Sequence, residues 1–324
     1  MPLITFGDFS DLIYKIKTRG WVYFKSKLTF NEKSKIKSTW NVENCNSANW
    51  WIIQEVRKRW NFLISGDESI DLQKYITNKY LKNQNNVKVL SPACGSGSKE
   101  INLAKYPNYK LIEAFDISQV LIKEANREKE NKGLENIHFF VEDFYNFSFK
   151  ENSYDLVLFI SSLHHFNNIE SVMINVHSSL KTDGYLIIME YVGPNRFQFD
   201  KERHRYMNKV LRTEIPDVYK KKYITNTQKR NVTRIGKLRM ILSDPSEAPC
   251  SEDILPTIGK YFTKCEEKNI GGNLLAFILK DIAHNFINDD AETKMVLKKL
   301  FEIEDKYLID KPSDLVFGVY KKTK

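Results

Sequence analysis

The stretch Val87-Lys-Val-Leu-Ser-Pro-Ala-Cys-Gly-Ser-Gly-Ser-Lys-Glu100 constrains the fold of this chain more than any other. Val87, Val89 and Leu90 form a short β-branched and aliphatic run after the polar residues 82–86, and read as a buried strand. The run enters Cys94-Gly-Ser-Gly97, and residues 98–105 then read as the first turns of a helix. Strand, glycine turn and helix in that order gather backbone N–H groups and a helix N-terminus around one point, which suits an anionic or strongly polar ligand. Gly95 and Gly97 allow positive φ and a close approach of backbone to that ligand.

The next hundred residues repeat the same unit. Leu111-Ile-Glu-Ala-Phe-Asp116 reads as a second strand ending in an acid, 19 residues after Gly97, where a ribose diol would be held. Ile137-His-Phe-Phe-Val-Glu-Asp143 gives a third strand, again ending in an acid, and residues 154–162 give a fourth. Leu180-Lys-Thr-Asp-Gly-Tyr-Leu-Ile-Ile-Met-Glu190 supplies a helix end, a glycine turn and a fifth strand. Helical patterns at 98–105, 118–131 and 169–180 alternate with these strands, so a parallel sheet covered on both faces is expected. Ligands of such sheets sit beyond the carboxyl ends of the strands, where Asp116, Asp143 and Ser161 fall.

The ordered set resembles the class I S-adenosylmethionine-dependent methyltransferases, of the type whose motifs run from a CGxG loop through LHHF to LKxDG. The resemblance covers about residues 86–194, with a weaker echo near the C-terminus. It departs from the family pattern at Ser91, where Asp or Glu usually stands near the methionine amino group. A nicotinamide enzyme would want a third glycine where this chain has Glu100. The resemblance implies a Rossmann-like α/β fold with a mostly parallel seven-stranded sheet, its last strand antiparallel. Residues 261–270 and 314–320 supply two late strands. It implies S-adenosyl-L-methionine as cofactor, with Ser91 and the backbone of Ala93, Cys94, Gly95 and Ser96 facing the methionine part. Asp116 would accept from the ribose hydroxyls and Asp143 from the adenine amino group. Ile117 and Phe144 would sandwich the ring, and Ile160 and Ser161 would complete the site.

Methyl transfer from a sulfonium is an in-line displacement with an activated donor, so the protein mainly aligns the acceptor and excludes water. A hydroxyl acceptor must also lose its proton. His164 and His165 follow the fourth strand, where the methyl group should point, and imidazole titrates near neutrality, so one of them is the expected base. Glu190 and Tyr191 end the fifth strand at the same cleft, and Arg196 comes shortly after; with His284 on a later helix they are the expected acceptor contacts. Several acceptors are argued against by residues 160–163, which read Ile-Ser-Ser-Leu. An amino-methylating DNA enzyme would carry Asn/Asp-Pro-Pro-aromatic there, and a cytosine-C5 enzyme a cysteine. No paired-glutamate loop of the protein-arginine type stands there either.

Outside this core, residues 1–82 read as a helical N-terminal segment or lid, with Arg57 or Arg59 facing the methionine carboxylate. Residues 83–324 form the methyltransferase domain, with insertions at about 193–256 and 271–306 expected to cap the acceptor pocket. The four cysteines lie far apart without metal-ligand spacing, no apolar run approaches a membrane span, and no signal-peptide pattern opens the chain, so a cytoplasmic protein is expected. The formal charge is +9, and residues 201–239 alone carry 13 lysines and arginines against three acids, a net +10. That stretch suits an anionic glycan or nucleotide-sugar acceptor. RNA is the alternative, since Tyr206, Tyr219 and Tyr223 interleave with the cations. Val210, Leu211, Ile215, Leu238, Met240 and Ile241 favour a folded cap over an open groove. A non-catalytic cofactor-binding protein is the alternative from outside enzymology.

Overall fold

The computed structural model of the chain describes residue 8, residues 49–234 and residues 236–322. Strands Val87–Pro92 (β1), Tyr109–Asp116 (β2), Ile137–Val141 (β3), Tyr154–Ile160 (β4), Leu180–Tyr191 (β5), Phe262–Gly271 (β6) and Leu315–Lys322 (β7) build one sheet in the order β3-β2-β1-β4-β5-β7-β6. The first five are parallel; β7 runs antiparallel to β5, and β6 antiparallel to β7. The doubly wound sheet expected from the strand–helix alternation is therefore present, with both late strands at one edge. Residues 180–184 differ from expectation. They are not a helix end but part of β5, where a bulge between the Tyr154–Leu180 and Leu156–Tyr185 pairs accommodates the left-handed Asp183.

The helices are Gln54–Ser65 (α1), Leu72–Tyr80 (α2), Ser98–Leu103 (α3), Gln119–Asn131 (α4), Ile169–Ser179 (α5), Lys201–Thr213 (α6), Lys237–Ser243 (α7), Ile254–Tyr261 (α8), Leu275–Ile278 (α9) and Ala291–Leu308 (α10). Among the described residues, none is long and apolar enough to cross a membrane. Starts are set by side-chain caps: Ser118 accepts from Leu121 N, Asn168 from Ser171 N and Asp200 from Arg203 N. Asn49 makes no such bond, and α1 begins only at Gln54 after a short turn at Trp50–Ile52. Most of the expected N-terminal lid lies outside the described residues.

Because helices cover both faces, the central strands are apolar throughout and distribute alternate residues to two cores. Leu156 and Leu158 of β4 pack with Ile76, Ile101 and Ile122 of α2, α3 and α4. Val157 and Phe159 pack on the other face with Val172 and Met173 of α5 and Ile258 of α8. A third core is the cap. It joins Trp50, Ile53 and Val56 to Met207, Val210 and Leu211 of α6, to Leu275 and Ile278 of α9, and to Leu297 and Leu300 of α10. Trp50 meets Trp60 edge-on at 5.1 Å.

One buried ion pair ties the cap to the sheet. The Arg203 guanidinium of α6 bonds Asp314, one residue before β7, and donates Nε–H to Asn273 O at 2.8 Å. It also lies over the rings of Phe199 and Phe277. Asp314 N donates to Asn273 Oδ1 at 2.8 Å, so cap, turn and strand are locked together. Other cations of the +10 stretch are likewise engaged inside the protein. Lys229 Nζ donates to the carbonyls of Phe277, Ile278 and Lys280, and Arg234 donates to Phe199 O. These three cations hold the cap in place rather than facing an acceptor.

Candidate active site

After β1 the chain makes three left-handed turns in alternation, with φ of 53° at Ala93, 59° at Gly95 and 69° at Gly97. The alternation curls the loop so that successive N–H groups line a concave surface. Gly95 N donates to Asp116 Oδ2 at 3.0 Å, and Ser118 N donates to Asp116 Oδ1 at 2.8 Å. Asp116 thus stands at the end of β2 between the loop and the start of α4. Burial raises its pKa, opposed by these backbone bonds.

The two glycines serve different ends. A Cβ on Gly95 would meet nothing within 4 Å, so that face of the loop lies open, whereas one on Gly97 would fall 2.4 Å from the Phe139 ring. Gly97→Ala should therefore destabilise the fold by about 2–3 kcal/mol, through positive-φ strain and displacement of the ring. Gly95→Ala should cost about 1 kcal/mol in urea unfolding while weakening cofactor binding more than Gly97→Ala does at equal folded fraction. Equal unfolding midpoints for the two variants would contradict this division.

The departure at Ser91 has a structural counterpart. Ser91 is buried, its Oγ donates to Glu100 Oε1 at 2.8 Å, and Glu100 is itself buried. The Ser91 hydroxyl is thus engaged with a carboxylate of α3. Asp143 Oδ1 accepts from Tyr145 N in the turn after β3, and Ile117 is half-buried beside Asp116. Phe144, expected as one side of an adenine sandwich, is instead a core residue packed on Phe149 and Phe166 at 4.9 and 4.8 Å. Its neighbour Tyr145 is half exposed and donates its hydroxyl to Asn167 Oδ1. Cys94 and Ser96 are half-buried in the loop, Ile160 packs at the edge of the first core, and Ser161 is exposed with φ of 52°.

That left-handed Ser161 turns the chain off β4 into the turn Leu163–His165. Glu190, at the end of β5 and fully buried, organises it. Its Oε2 accepts from the backbone N–H groups of Ser162, Leu163 and His164, and its Oε1 lies 2.9 Å from His164 Nδ1. Neutral His164 consequently carries its proton on Nδ1 and its lone pair on Nε2. Burial lowers the His164 pKa, but the charge of Glu190 and the hydrogen bond to it outweigh burial, so the net shift is upward. For His165 burial comes first, and with the charge of His164 the net shift is downward.

A loop from the insertion covers the pair. Glu247 Oε1 stands 3.8 Å from His164 Nε2, and His165 Nδ1 is 3.3 Å from Ser246 O. Asp244 Oδ1 accepts from Ser246 N and Oγ, while its Oδ2 is buried with no hydrogen-bond partner. Arg196 straps this loop: its guanidinium donates to Asp244 O and Glu247 O, and its own N–H to Ala248 O.

These contacts correct four expected acceptor contacts. Glu190 holds His164 from beneath and has no surface to offer an acceptor. Arg196 holds a loop through carbonyls, and Tyr191 donates its hydroxyl to Pro194 O at 2.9 Å with its ring against Phe197. His284 packs against Tyr223 in the cap, its Nδ1 buried without a hydrogen bond. Arg59 is paired with Asp305 of α10 rather than facing the loop, and Arg57 donates to Trp51 O and Ile52 O. The residues that do meet the histidines, Asp244, Ser246 and Glu247, were passed over in the sequence. Around the pair the charge is acidic: Glu190, Asp244 and Glu247.

Residues 83–240 match the family model of a methyltransferase domain. Over 126 residues the chain is 25% identical to a demethylmenaquinone methyltransferase of Bacteroides fragilis, covering 39% of this chain and 51% of that protein. Over 120 residues it is 28% identical to a sterol 24-C-methyltransferase of Aspergillus fumigatus, covering 37% and 32%. The chain thus spans about half the length, or less, of these curated relatives. Among solved structures, a geranyl diphosphate methyltransferase in complex with GPP and sinefungin aligns over 90% of this chain and 100% of that one, with a TM-score of 0.54 at 9% identity, and shares the fold.

Proposed function

Since residues 83–240 are a class I S-adenosylmethionine-dependent methyltransferase domain, we propose that the chain transfers the donor's methyl group to a hydroxyl of a small-molecule acceptor presented to His164. The observation that carries this reading is the Glu190–His164 pair at the ends of β5 and β4, β4 being the neighbour of β1 and its glycine loop. The loop N–H groups and Asp116 hold the donor. When bound, the donor would supply an activated methyl group to the acceptor oxygen, and His164 Nε2 would take the hydroxyl proton. Glu190 supports the imidazolium that results.

The acceptor we favour is a sugar or related metabolite with an anionic group. Exposed cations of α6, among them Lys209 and Arg212, support the anionic part. The acids at Glu247 and Asp244 argue that this group lies away from the reacting hydroxyl. Calorimetry with S-adenosylmethionine and its demethylated product tests the donor site, and Asp116→Ala should weaken binding by about 1–3 kcal/mol. No heat with either ligand would sink the reading. Labelled methyl groups incubated with cell extract test the acceptor. Label in a low-mass or polysaccharide fraction supports it, label in RNA replaces the acceptor, and tight donor binding without any labelled product favours a non-catalytic protein.

A further inference from the structure

We propose that His164, His165 and Glu247 together bind a divalent transition-metal ion of the zinc class at the mouth of the cleft. One ring nitrogen from each histidine and a carboxylate oxygen of Glu247 lie within 4.8 Å of one another. Zinc bonds of about 2.0–2.2 Å to nitrogen and oxygen place tetrahedral ligand atoms about 3.3–3.5 Å apart. The His164 Nε2 to Glu247 Oε1 separation of 3.8 Å is already close to that spacing. Glu247 keeps a quarter of its side chain exposed.

The surroundings match what such a site needs. A metal-ligating imidazole is held by a carboxylate or carbonyl on its other nitrogen, which fixes the tautomer and raises its basicity. His164 Nδ1 has Glu190 in that place at 2.9 Å, and His165 Nδ1 has the Ser246 carbonyl at 3.3 Å. Two imidazoles and one carboxylate form the three-ligand set of an open zinc position, with the fourth site left to water or acceptor. A second, independent observation is Asp244 in the same loop. It is more than nine-tenths buried, its Oδ2 has no partner, and its charge acts on both imidazoles. A bound cation would offset that uncompensated carboxylate oxygen.

The proposal rests on the reading of this cleft as the acceptor site, but its test does not need turnover. Ligation and general-base use of His164 Nε2 exclude one another, so the metal-free chain is the active form and a bound ion would inhibit methyl transfer. The full chain, stripped with chelator, is titrated with Zn2+ by calorimetry and separately with Co2+ in the visible spectrum. One ion per chain is expected, with the intense visible bands of four-coordinate Co2+. Glu247→Gln, at a partly exposed position, should weaken Zn2+ binding 10-fold or more, and His164→Ala should abolish it. Lys123→Ala, at an exposed position of α4, should leave it unchanged. Less than one ion per chain, or equal affinity in wild type and Glu247→Gln, would overturn the proposal. S-adenosylmethionine binding measured on the same stripped samples separates this failure from failure of the methyltransferase reading.

Discussion

Replacing His164 with alanine should lower the rate of methyl transfer by about 10²–10⁴-fold while leaving the donor's Kd within about twofold, because positioned proton transfer contributes on that scale. The two effects separate because the fold separates their residues. The proposed donor contacts lie in the loop after β1 and at Asp116, the last residue of β2, whereas His164 comes after β4 and is fixed by Glu190 of β5. Glu190→Gln should move the rate in the same direction, since it removes the charge that raises the His164 pKa and leaves an amide N–H facing a backbone donor or the ring nitrogen. Single-turnover measurements with labelled donor and the active extract fraction would read both variants. A His164→Ala rate within tenfold of wild type would remove this residue from the proton transfer.

Replacing Arg203 with methionine should cost about 3–5 kcal/mol of unfolding free energy, the scale of stranding one buried charge by removing its partner. Arg203 and Asp314 are both almost fully buried, and among the described residues no other cation stands in for the guanidinium at Asp314. Burial raises the Asp314 pKa even in the native protein, with Arg203 opposing it. Without Arg203 that upward shift grows. A carboxyl whose folded pKa lies above its unfolded value contributes stability below the unfolded pKa, and loses it as pH rises through the folded one. The deficit of the variant should therefore be smaller near pH 4 than near pH 7. A second variant, Arg203→Met with Asp314→Leu, should recover most of the loss. Urea unfolding at both pH values reads all three chains, and a single-variant cost below about 1 kcal/mol would refute the account.

The central strands were legible because they are buried on both faces and so appear as mostly apolar runs. The starts of β2, β4 and β6 fall within a residue or two of where Leu111, Tyr154 and Tyr261 suggested. The glycine loop and Asp116 were legible for a local reason, since positive φ and a strand-end carboxylate leave their mark within a few residues. Glu190 misled because its strand-end position is the same whether the side chain faces the cleft or turns inward. The choice is made by three N–H groups at 162–164, some 26 residues away in sequence. Arg196 misled for the same reason, its partners being carbonyls at 244 and 247. Asp244, Ser246 and Glu247 left no periodic or motif signal at all, as they reach the histidines only through the path of an irregular loop. Net charge misled differently: it counts cations without saying which, like Arg203 and Lys229, are already inside.

The cap core has a consequence for synthesis. Trp50, Ile53 and Val56 find their partners on α10 only when residues near Leu300 exist, about 250 positions later. At roughly 5–20 residues per second, a ribosome completes this core only about 12–50 s after the start of α1 is made. During that interval the apolar start of α1 lacks the last layer of its core, a state in which a chaperone would engage it.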